Sequence, residues 1–298
     1  MKIDEKPMVS IGVPIFNAEE YLCAALDSLI GQTFSDFELI ISDNASTDQT
    51  EIICCNYLEN DNRIKYFRQP KNLGAEANFS FVLEKSVGKY FMWAAADDIR
   101  SKDFIELNLK FLEKNMDYVC SVSPVKFQGR DFNERKMGDR RLEENHFDLR
   151  LRKFFGDWHA NGAFYSLMRT EVIQNCEWLG KKFLGVDWAI VLYLASHGKL
   201  NRIQTGWLEL GINGDSNNGG IFQRYRLTQL DLIFPFWKMS LAVFKISKKA
   251  PLYSKVILMK ECLVMNLWAI KLQVLGRLYQ TFKSIKSKLF NDKKKDGF

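Results

Sequence analysis

Two adjacent carboxylates, Asp97 and Asp98, directly follow a largely apolar segment at residues 89–96. Such a segment is typical of a buried strand with few side chains able to compensate a negative charge, so we expect both acids where the strand leaves the core. Paired carboxylates at that edge of a sheet can hold a divalent cation, which in turn can hold phosphates. The alternative is a solvated turn in which Asp98 or Ser101 caps the helix that follows.

Apolar runs alternate with segments of helical spacing through the first hundred residues. The runs that predict strands lie at residues 9–15, 37–42, 63–68 and 89–96. This alternation with short connectors predicts an α/β fold with a mostly parallel central sheet between helices. Ligands of such sheets bind beyond the carboxyl ends of the strands, so we expect residues 14–17, 43–44 and 97–98 to converge there.

The remainder of the chain has a weaker pattern. Further strands are predicted at residues 116–127, 163–168 and 200–211, and a helix at residues 188–196. From about residue 224 onward the spacing of apolar residues is helical. We therefore divide the chain into a catalytic α/β domain at residues 1–220 and a basic amphipathic helical region at residues 221–298.

The C-terminal region is strongly basic. Residues 236–298 contain fourteen Lys or Arg and three acids, a balance of +11, whereas the whole chain carries +6. An apolar stripe recurs there at helical spacing, with Lys260 and Lys271 outside it: Leu263, Leu267, Ile270 and Val274. The helices can pack on the α/β domain with their lysines in solvent, or lie on an anionic membrane surface, and one helix pair can do both. Nucleic acid is the weaker partner, because no recognised nucleic-acid-binding module surrounds the charge.

Cysteine and histidine usage excludes several classes. The six cysteines are scattered without a C-x-x-C pair, and three histidines provide no zinc-type cluster. The N-terminus lacks an apolar core of signal-peptide length, and no window of about 18 uncharged apolar residues occurs. We expect a reduced, cytoplasmic protein, with a peripheral position on the cytoplasmic face of a membrane as the alternative that the basic region leaves open.

Four motifs in this order resemble those of the family 2 glycosyltransferases, which are inverting enzymes with the GT-A fold. They are Val13-Pro-Ile-Phe-Asn17, Ser42-Asp-Asn-Ala-Ser-Thr-Asp48, Asn72-x-Gly74 followed by Asn78, and Ala96-Asp-Asp98. The likeness covers residues 8–130 well and residues 160–215 more loosely. It implies a GT-A nucleotide-binding domain that moves a sugar from a nucleotide-diphosphate donor to a glycan or lipid-linked acceptor, in synthesis of a cell-surface polysaccharide such as lipopolysaccharide.

The resemblance assigns the acidic pair to a metal. Asp98 would be the main ligand of Mg²⁺ or Mn²⁺, and Asp97 would bind the ribose or assist the metal. Many family members carry a further Asp two positions before the pair, where this chain has Ala95. The motif is thus reduced to its last two acids, which leaves less redundancy in metal binding.

The resemblance also assigns residues to the nucleotide. Asp43 would accept a hydrogen bond from the imide N–H of uracil or thymine, which favours a UDP- or dTDP-sugar. The alternative for Asp43 is an Asx-turn that holds its own polar loop. Pro14, Asn17 and Asn44 would lie in the loops against the nucleotide, with Asn17 in a structural role, and Lys71 would face phosphates or solvent.

Inversion requires a general base on the acceptor side, which the resemblance places near the start of a helix in the second half of the domain. Asp187 opens an apolar helix at that point. An acid there is also an ordinary first-turn residue, favoured by the helix dipole. Asp157 and Glu177 are weaker candidates for the base.

Two further segments match the family around the acceptor. Residues 160–169 resemble the segment that lines the acceptor pocket, and residues 211–220 resemble a mobile lid. Trp158 and Trp188 can stack on a sugar or pack in the core. Many relatives place a metal-binding His near the lid, and residues 211–220 contain none.

Two other functions compete with a glycosyltransferase. A sugar-phosphate nucleotidyltransferase also uses an α/β nucleotide fold, but it opens with a Gly-rich phosphate loop and a Lys, which residues 13–17 lack. A non-catalytic nucleotide-sugar-binding protein would keep the fold without the chemistry, and Ala95 and the missing lid histidine allow this. Asp187 discriminates, because a sensor would tolerate its loss and an enzyme would not.

Overall fold

The computed structural model describes residues 6–155, 159–212 and 221–295, with side chains described as far as Leu275. Ten strands in these ranges form two sheets. In chain order they are β1 Val9–Ile15, β2 Phe37–Asp43, β3 Ile64–Arg68, β4 Tyr90–Trp93, β5 Ile99–Arg100, β6 Tyr118–Val122, β7 Val125–Phe127, β8 Leu167–Arg169, β9 Lys199–Arg202 and β10 Leu208–Leu210.

Helices connect and cover these strands, and a 3₁₀ turn at Gly162–Tyr165 precedes β8. In chain order the α-helices are α1 Leu22–Ile30, α2 Thr50–Asn60, α3 Ala75–Glu84, α4 Phe104–Lys114, α5 Glu134–Met137, α6 Phe147–Phe154, α7 Thr170–Ile173, α8 Val186–His197, α9 Ile221–Arg224, α10 Leu230–Ile233, α11 Trp237–Ile246 and α12 Leu252–Lys295.

β1 lies between β2 and β4 in a seven-stranded sheet of order β3-β2-β1-β4-β8-β6-β9. Among the described strands of this sheet, only β8 runs antiparallel to its neighbours. Every residue of β1 and β2 is buried, as expected for strands covered by helices on both faces. The predicted mostly parallel sheet between helices is therefore confirmed. Because β2, β1 and β4 are parallel neighbours, their carboxyl ends reach the same edge.

A second sheet has three strands in the order β5-β10-β7. β5 directly follows the acidic pair, and β10 pairs antiparallel with β5 and parallel with β7. This pairing brings Gly211, which follows β10, into contact with Asp98, 113 positions earlier in the chain. Hydrophobic periodicity does not predict this sheet, because its strands have only two or three residues.

Three predicted strands differ from the structure. The strand predicted at residues 116–127 is two strands, β6 and β7, which are separated at Ser123 and Pro124 and belong to different sheets. The strand predicted at residues 163–168 begins as the 3₁₀ turn, and only β8 joins the sheet. The strand predicted at residues 200–211 is likewise divided into β9 and β10. In each case a short apolar run continues through a change of direction that its composition does not reveal.

The C-terminal helices pack on the α/β domain. Ser254 of α12 donates a hydrogen bond to Asp148 of α6 (2.6 Å). Buried apolar side chains of α11 and α12 belong to the same core cluster as residues of α6 and α8: Met239, Ala242, Val243, Leu258, Cys262, Met265 and Ala269. The division at residue 220 stays a prediction, although these helices share a core with the residues before it. In the described ranges, every helix is too short or too polar to span a membrane.

Asn78 of α3 ties that helix to the ends of two strands. It is 2% exposed, and its Oδ1 accepts a hydrogen bond from Ser42 Oγ (2.6 Å). Its Nδ2 donates to the backbone carbonyls of Ser42 (2.8 Å) and Ile15 (3.4 Å). One buried amide therefore holds the carboxyl ends of β1 and β2 together.

Replacing Asn78 with Ala should lower the free energy of unfolding by about 1–3 kcal/mol, because two buried carbonyl groups lose a donor. Chemical denaturation measures this change. Asn60→Ala is the matched control, since exposed Asn60 donates only to the Asn56 carbonyl one turn earlier in its own helix. We expect that control to stay within about 0.5 kcal/mol of the wild type. Equal effects of the two substitutions would contradict the role given to Asn78.

Candidate active site

A cavity of about 620 Å³ lies beyond the carboxyl ends of β1 and β4. Its wall includes Pro14 at the end of β1, Asp97 and Asp98 after β4, and Asp187 in the first turn of α8. A second cavity of about 490 Å³ shares Pro14 and Asp97 with the first. Carboxylates from three separate parts of the chain thus line one space: Glu76 on α3, the adjacent pair Asp97 and Asp98 after β4, and Asp187 on α8.

Asp98 is 2% exposed and its carboxylate is held by backbone N–H groups. Gly211 donates to Oδ1 (3.2 Å) and Ala95 donates to Oδ2 (3.3 Å). Helix α4 begins only at Phe104, and among the described residues neither Asp98 nor Ser101 caps it through a side chain. The capping alternative is therefore wrong, and Asp98 belongs to the cavity wall.

Asp97 is partly buried and lines both cavities. A Cβ atom on Gly211 would lie 2.0 Å from Asp97 Oδ2 and 2.5 Å from Asp97 Cβ. Any larger residue at position 211 would displace the Asp97 side chain. The position of Asp97 therefore depends on Gly211. The sequence had identified Gly211 only as the first residue of the predicted lid.

Arg100 lies behind the acidic pair and is 2% exposed. Its Nη2 donates to the Trp93 carbonyl (2.8 Å). Burial raises the pKa of Asp98 to about 6, and the positive charge of Arg100 opposes this rise. Ionised Asp98 therefore carries a desolvation cost that Arg100 reduces and that a bound cation would reduce further.

The donor set of the acidic pair suits a hard divalent cation that a substrate helps to hold. Among the described residues there is no group of three His, Cys, Asp or Glu side chains placed to bind a metal, so they offer no complete protein cage. Mg²⁺ is usually bound through one or two carboxylates together with phosphate oxygens and waters, and Mn²⁺ accepts the same oxygen ligands. Asp97 and Asp98 fit such an ion bound together with a diphosphate.

Asp43 is fully buried beneath the loops at the end of β2. Its Oδ1 accepts from Ser46 N–H (2.8 Å), and its Oδ2 accepts from the Tyr66 hydroxyl (2.9 Å) and from Arg68 Nη1 (3.1 Å). Asp43 therefore holds its own polar loop, as the Asx-turn alternative predicts. In the described part of the chain it lines neither cavity, and its contact with a base stays a prediction.

Asn17 joins the first loop to the second. Its backbone N–H donates to Ser46 Oγ (2.9 Å), and its Oδ1 accepts from Thr47 N–H (2.9 Å). Its φ of 47° lies in the left-handed region, which Asn tolerates better than most residues. These contacts are structural, in line with the role predicted for Asn17.

Asn44 lines the second cavity, where its amide orders a neighbouring loop. Its Nδ2 donates to Asn72 Oδ1 (2.9 Å), and its Oδ1 accepts from Leu73 N–H (2.8 Å). Pro14 lines both cavities. Lys71 is exposed and, within the described residues, lies outside both cavity walls. Pro14 and Asn44 are thus placed to contact a ligand in these cavities, whereas Lys71 is not.

Asp187 lines the same cavity, on a helix that Gly185 allows to begin there with a φ of 84°. Its Oδ2 accepts a hydrogen bond from Asn161 Nδ2 (3.1 Å). Burial raises the pKa of Asp187. Glu177 instead forms an exposed ion pair with Lys245, and Asp157 lies outside the described residues. Asp187 is thus the predicted base candidate that the structure places in the cavity.

The segment at residues 160–169 reaches the cavity, as the resemblance implied. Ala160, Asn161, Phe164 and Tyr165 line its wall. Trp188 is 8% exposed and stacks on His159, with ring centroids 4.5 Å apart and planes 13° apart, so it packs against the protein. Trp158 and residues 213–220 of the predicted lid lie outside the described residues.

The sequence did not single out Tyr165 within the predicted acceptor segment, and it did not predict the apolar side of the cavity. Burial raises the pKa of Tyr165, and the negative charges of Asp98, Asp97 and Asp187 raise it further, which places this phenol among the three carboxylates. The apolar side includes residues from both sides of position 220: Trp178, Leu179, Leu184, Ile221, Tyr225 and Phe236. Isolated apolar residues carry no sequence signal that separates a cavity wall from a core.

The pKa of Asp98 gives a pH dependence of stability. Folding raises this pKa from 3.8 to about 6, so the folded state binds a proton more tightly than the unfolded state. As the pH rises from 4 to 7 in the absence of metal, we expect the wild type to lose roughly 2 kcal/mol of unfolding free energy relative to Asp98→Asn. Denaturation of both proteins at each pH measures the difference, in which other titrating groups cancel. A difference that does not change with pH would contradict the assignment.

Sequence comparison identifies the family. The sequence model of Glycosyl transferase family 2 matches residues 10–176, more than half of the 298-residue chain. An uncharacterized glycosyltransferase of Haemophilus influenzae is 37% identical over 109 residues, which are 37% of this chain and 44% of that protein. Glycosyltransferase GlyA of Streptococcus pneumoniae is 27% identical over 230 residues, which are 69% of this chain and 33% of GlyA. The chain thus spans less than half the length of either relative.

Structural comparison gives the fold. S. aureus TarS 1–349 in complex with UDP-GlcNAc superposes with a TM-score of 0.59 and 16% identity, over 86% of this chain and 79% of TarS. Mannosyltransferase PcManGT from Pyrobaculum calidifontis, in complex with GDP-Man and Mn²⁺, superposes with a TM-score of 0.57 and 15% identity, over 90% of this chain and 73% of PcManGT. The GT-A fold is therefore confirmed. With the sequence match over residues 10–176, these findings show that the chain belongs to glycosyl transferase family 2.

Proposed function

We propose that the protein transfers a hexose from a nucleotide-diphosphate donor to a hydroxyl of a saccharide acceptor, with inversion at the anomeric carbon and with Mg²⁺ or Mn²⁺ bound. The observation that carries this proposal is a single cavity whose wall holds Asp97 and Asp98 as well as Asp187. The complexes of TarS with UDP-GlcNAc and of PcManGT with GDP-Man and Mn²⁺ support a nucleotide-sugar donor and a divalent ion on this fold.

The acidic pair holds the diphosphate end of the donor. When bound, the ion supplies positive charge that stabilises the departing diphosphate. Two backbone N–H groups fix the carboxylate of Asp98, so its orientation needs no reorganisation when a ligand arrives. Asp97, which lines both cavities, is placed to contact the ribose or to share the ion.

The second cavity accommodates the nucleoside. Pro14 and Asn44 belong to its wall. Asp43 lies beneath the same loops, and in this proposal its acceptor-only carboxylate accepts a hydrogen bond from the imide N–H of a uracil or thymine ring. The donor is a UDP- or dTDP-sugar in this proposal.

Asp187 acts as the general base. In a single in-line displacement, the acceptor oxygen bonds to the anomeric carbon while the bond from that carbon to the phosphate oxygen breaks. The acceptor proton passes to Asp187, whose raised pKa brings it nearer to that of a useful base at neutral pH. Asn161 holds Oδ2 and thereby orients the carboxylate.

The acceptor binds on the apolar side of the cavity. Trp178, Tyr225 and Phe236 are among the residues there, and such a wall favours a saccharide that carries an apolar or lipid group over a free sugar. We therefore propose a glycan or lipid-linked acceptor in cell-surface polysaccharide synthesis, with the protein at the cytoplasmic face of a membrane.

Titration of the protein with UDP, dTDP and GDP, each with and without Mn²⁺, tests the donor site by calorimetry. We expect one pyrimidine nucleotide to bind only with Mn²⁺, and Asp98→Ala to lose this binding at least about 100-fold because the main ligand of the ion is gone. Asp131→Ala, at an exposed acid outside the cavity, is the matched control. Metal-independent binding that survives in Asp98→Ala would remove the acidic pair from the mechanism.

Asp187→Asn should keep the affinity for the donor and lower kcat by about 10²–10⁴-fold, because it removes the group that takes the acceptor proton. Release of the nucleoside diphosphate from the donor measures turnover, with water or an added saccharide as acceptor. Glu177→Gln, at an exposed acid outside the cavity, is the control and should stay near the wild type. An unchanged kcat in Asp187→Asn would favour a binding protein or a different base.

A further inference from the structure

Helix α12 presents an apolar face to solvent along its described length. Six side chains at helical spacing on this face are between 51% and 77% exposed: Leu252, Val256, Met259, Leu263, Leu267 and Val274. Leu241 and Phe244 of α11 are 55% and 58% exposed. We call the six side chains of α12 the outer face. It includes three of the four residues of the apolar stripe found in the sequence: Leu263, Leu267 and Val274.

The orientation of α12 is fixed by its other side. Leu258, Cys262, Met265 and Ala269 are at most 5% exposed and belong to the main core. These four residues are offset by more than a quarter turn from the outer face, so the helix cannot rotate to bury both. An apolar surface of this extent on a packed helix marks an interaction site rather than an unused core face.

Positive charge surrounds the outer face. Lys248 and Lys249 are exposed at the turn between α11 and α12, and Lys260 and Lys271 are exposed beside the stripe. Residues 236–298 carry a balance of +11 with only three acids. An occupant of this face must therefore offer apolar contact and negative charge together.

The rest of α12 cannot supply that occupant. Residues 252–295 form one continuous helix, so the part beyond residue 275 runs away from the outer face instead of folding over it. In a symmetric dimer through this face, the C-terminal helices of a second copy would bring the same lysines against these and would be repelled. The surface of an anionic bilayer provides an acyl boundary for the apolar side chains and phosphates for the lysines.

We propose that the outer face of α12 binds the surface of an anionic lipid bilayer, with this helix lying in the plane of the interface. The described part of α12 from residue 252 to residue 275 would lie along the membrane over about 36 Å. This binding uses a surface separate from the cavity, so it does not rest on the proposed transfer reaction.

Co-sedimentation of the full chain with vesicles tests the proposal. We expect binding to vesicles of phosphatidylcholine with one third phosphatidylglycerol, and much weaker binding to phosphatidylcholine alone. The double variant Leu263→Ser with Leu267→Ser should weaken binding at least about 10-fold, since two exposed leucines lose their apolar contact. Ile52→Ser with Leu58→Ser, at side chains 57% and 40% exposed on α2, is the matched control and should bind as the wild type does.

The charge contribution is tested separately. Lys260→Gln with Lys271→Gln should weaken binding to the anionic vesicles by roughly 5-fold for each lysine and leave binding to phosphatidylcholine unchanged. All of these substitutions lie at exposed positions, so the melting temperature should not change and loss of fold is excluded by that measurement.

Two results would overturn the proposal. One is vesicle binding that neither the leucine nor the lysine variant reduces. The other is a dimer in sedimentation equilibrium that Leu263→Ser with Leu267→Ser converts to a monomer, without vesicle binding by the wild type, because a second copy would then occupy the face. Donor binding by calorimetry is measured on the same variants, so failure of the membrane surface and failure of the active site remain distinguishable.

Discussion

Parallel pairing of β1 with β2 on one side and β4 on the other is the constraint on which the site depends. In this register Ile15 lies opposite Asp43, and Ala94 donates to the Gly12 carbonyl (2.9 Å), so the chain reaches the acidic pair three residues later. The close approach of α3 requires a glycine in β1, since a Cβ on Gly12 would lie 2.6 Å from Val82. The strand ends and the helix above them are therefore fixed together before any side chain of the site is considered.

Burial of negative charge is the second organising feature. The three-stranded sheet β5-β10-β7 places Asp98 against the core. Ionisation of Asp98 there costs free energy, which the backbone N–H groups and Arg100 only partly offset. Asp187 is likewise buried enough for its pKa to rise. The negative charge of Asp97 raises the pKa of Asp98 further. Under the proposed function, a bound cation would offset this cost of ionised Asp98.

The C-terminal helices connect the cavity to the surface of the molecule. Phe236 lines the cavity at the start of α11, while Leu241 and Phe244 of the same segment face outward. Since α11 and α12 share a core with α8, which carries Asp187, an occupant of the outer face would be held at a constant distance from Asp187. Under the proposed function, this rigid link would place a lipid-linked acceptor within reach of the cavity.

The sequence by itself determined the strand–helix alternation, the parallel sheet and the family, because each rests on short motifs or on local periodicity. It placed Asp97, Asp98 and Asp187 as the acids of the site, and the structure brings these three to one cavity. Only the tertiary structure decided that Asp43 is held by Tyr66 and Arg68, that Gly211 supports Asp98, and which side of α12 faces the core. The reason is physical: hydrophobic periodicity reports which side of one element is apolar, whereas these outcomes depend on contacts between elements far apart in the chain.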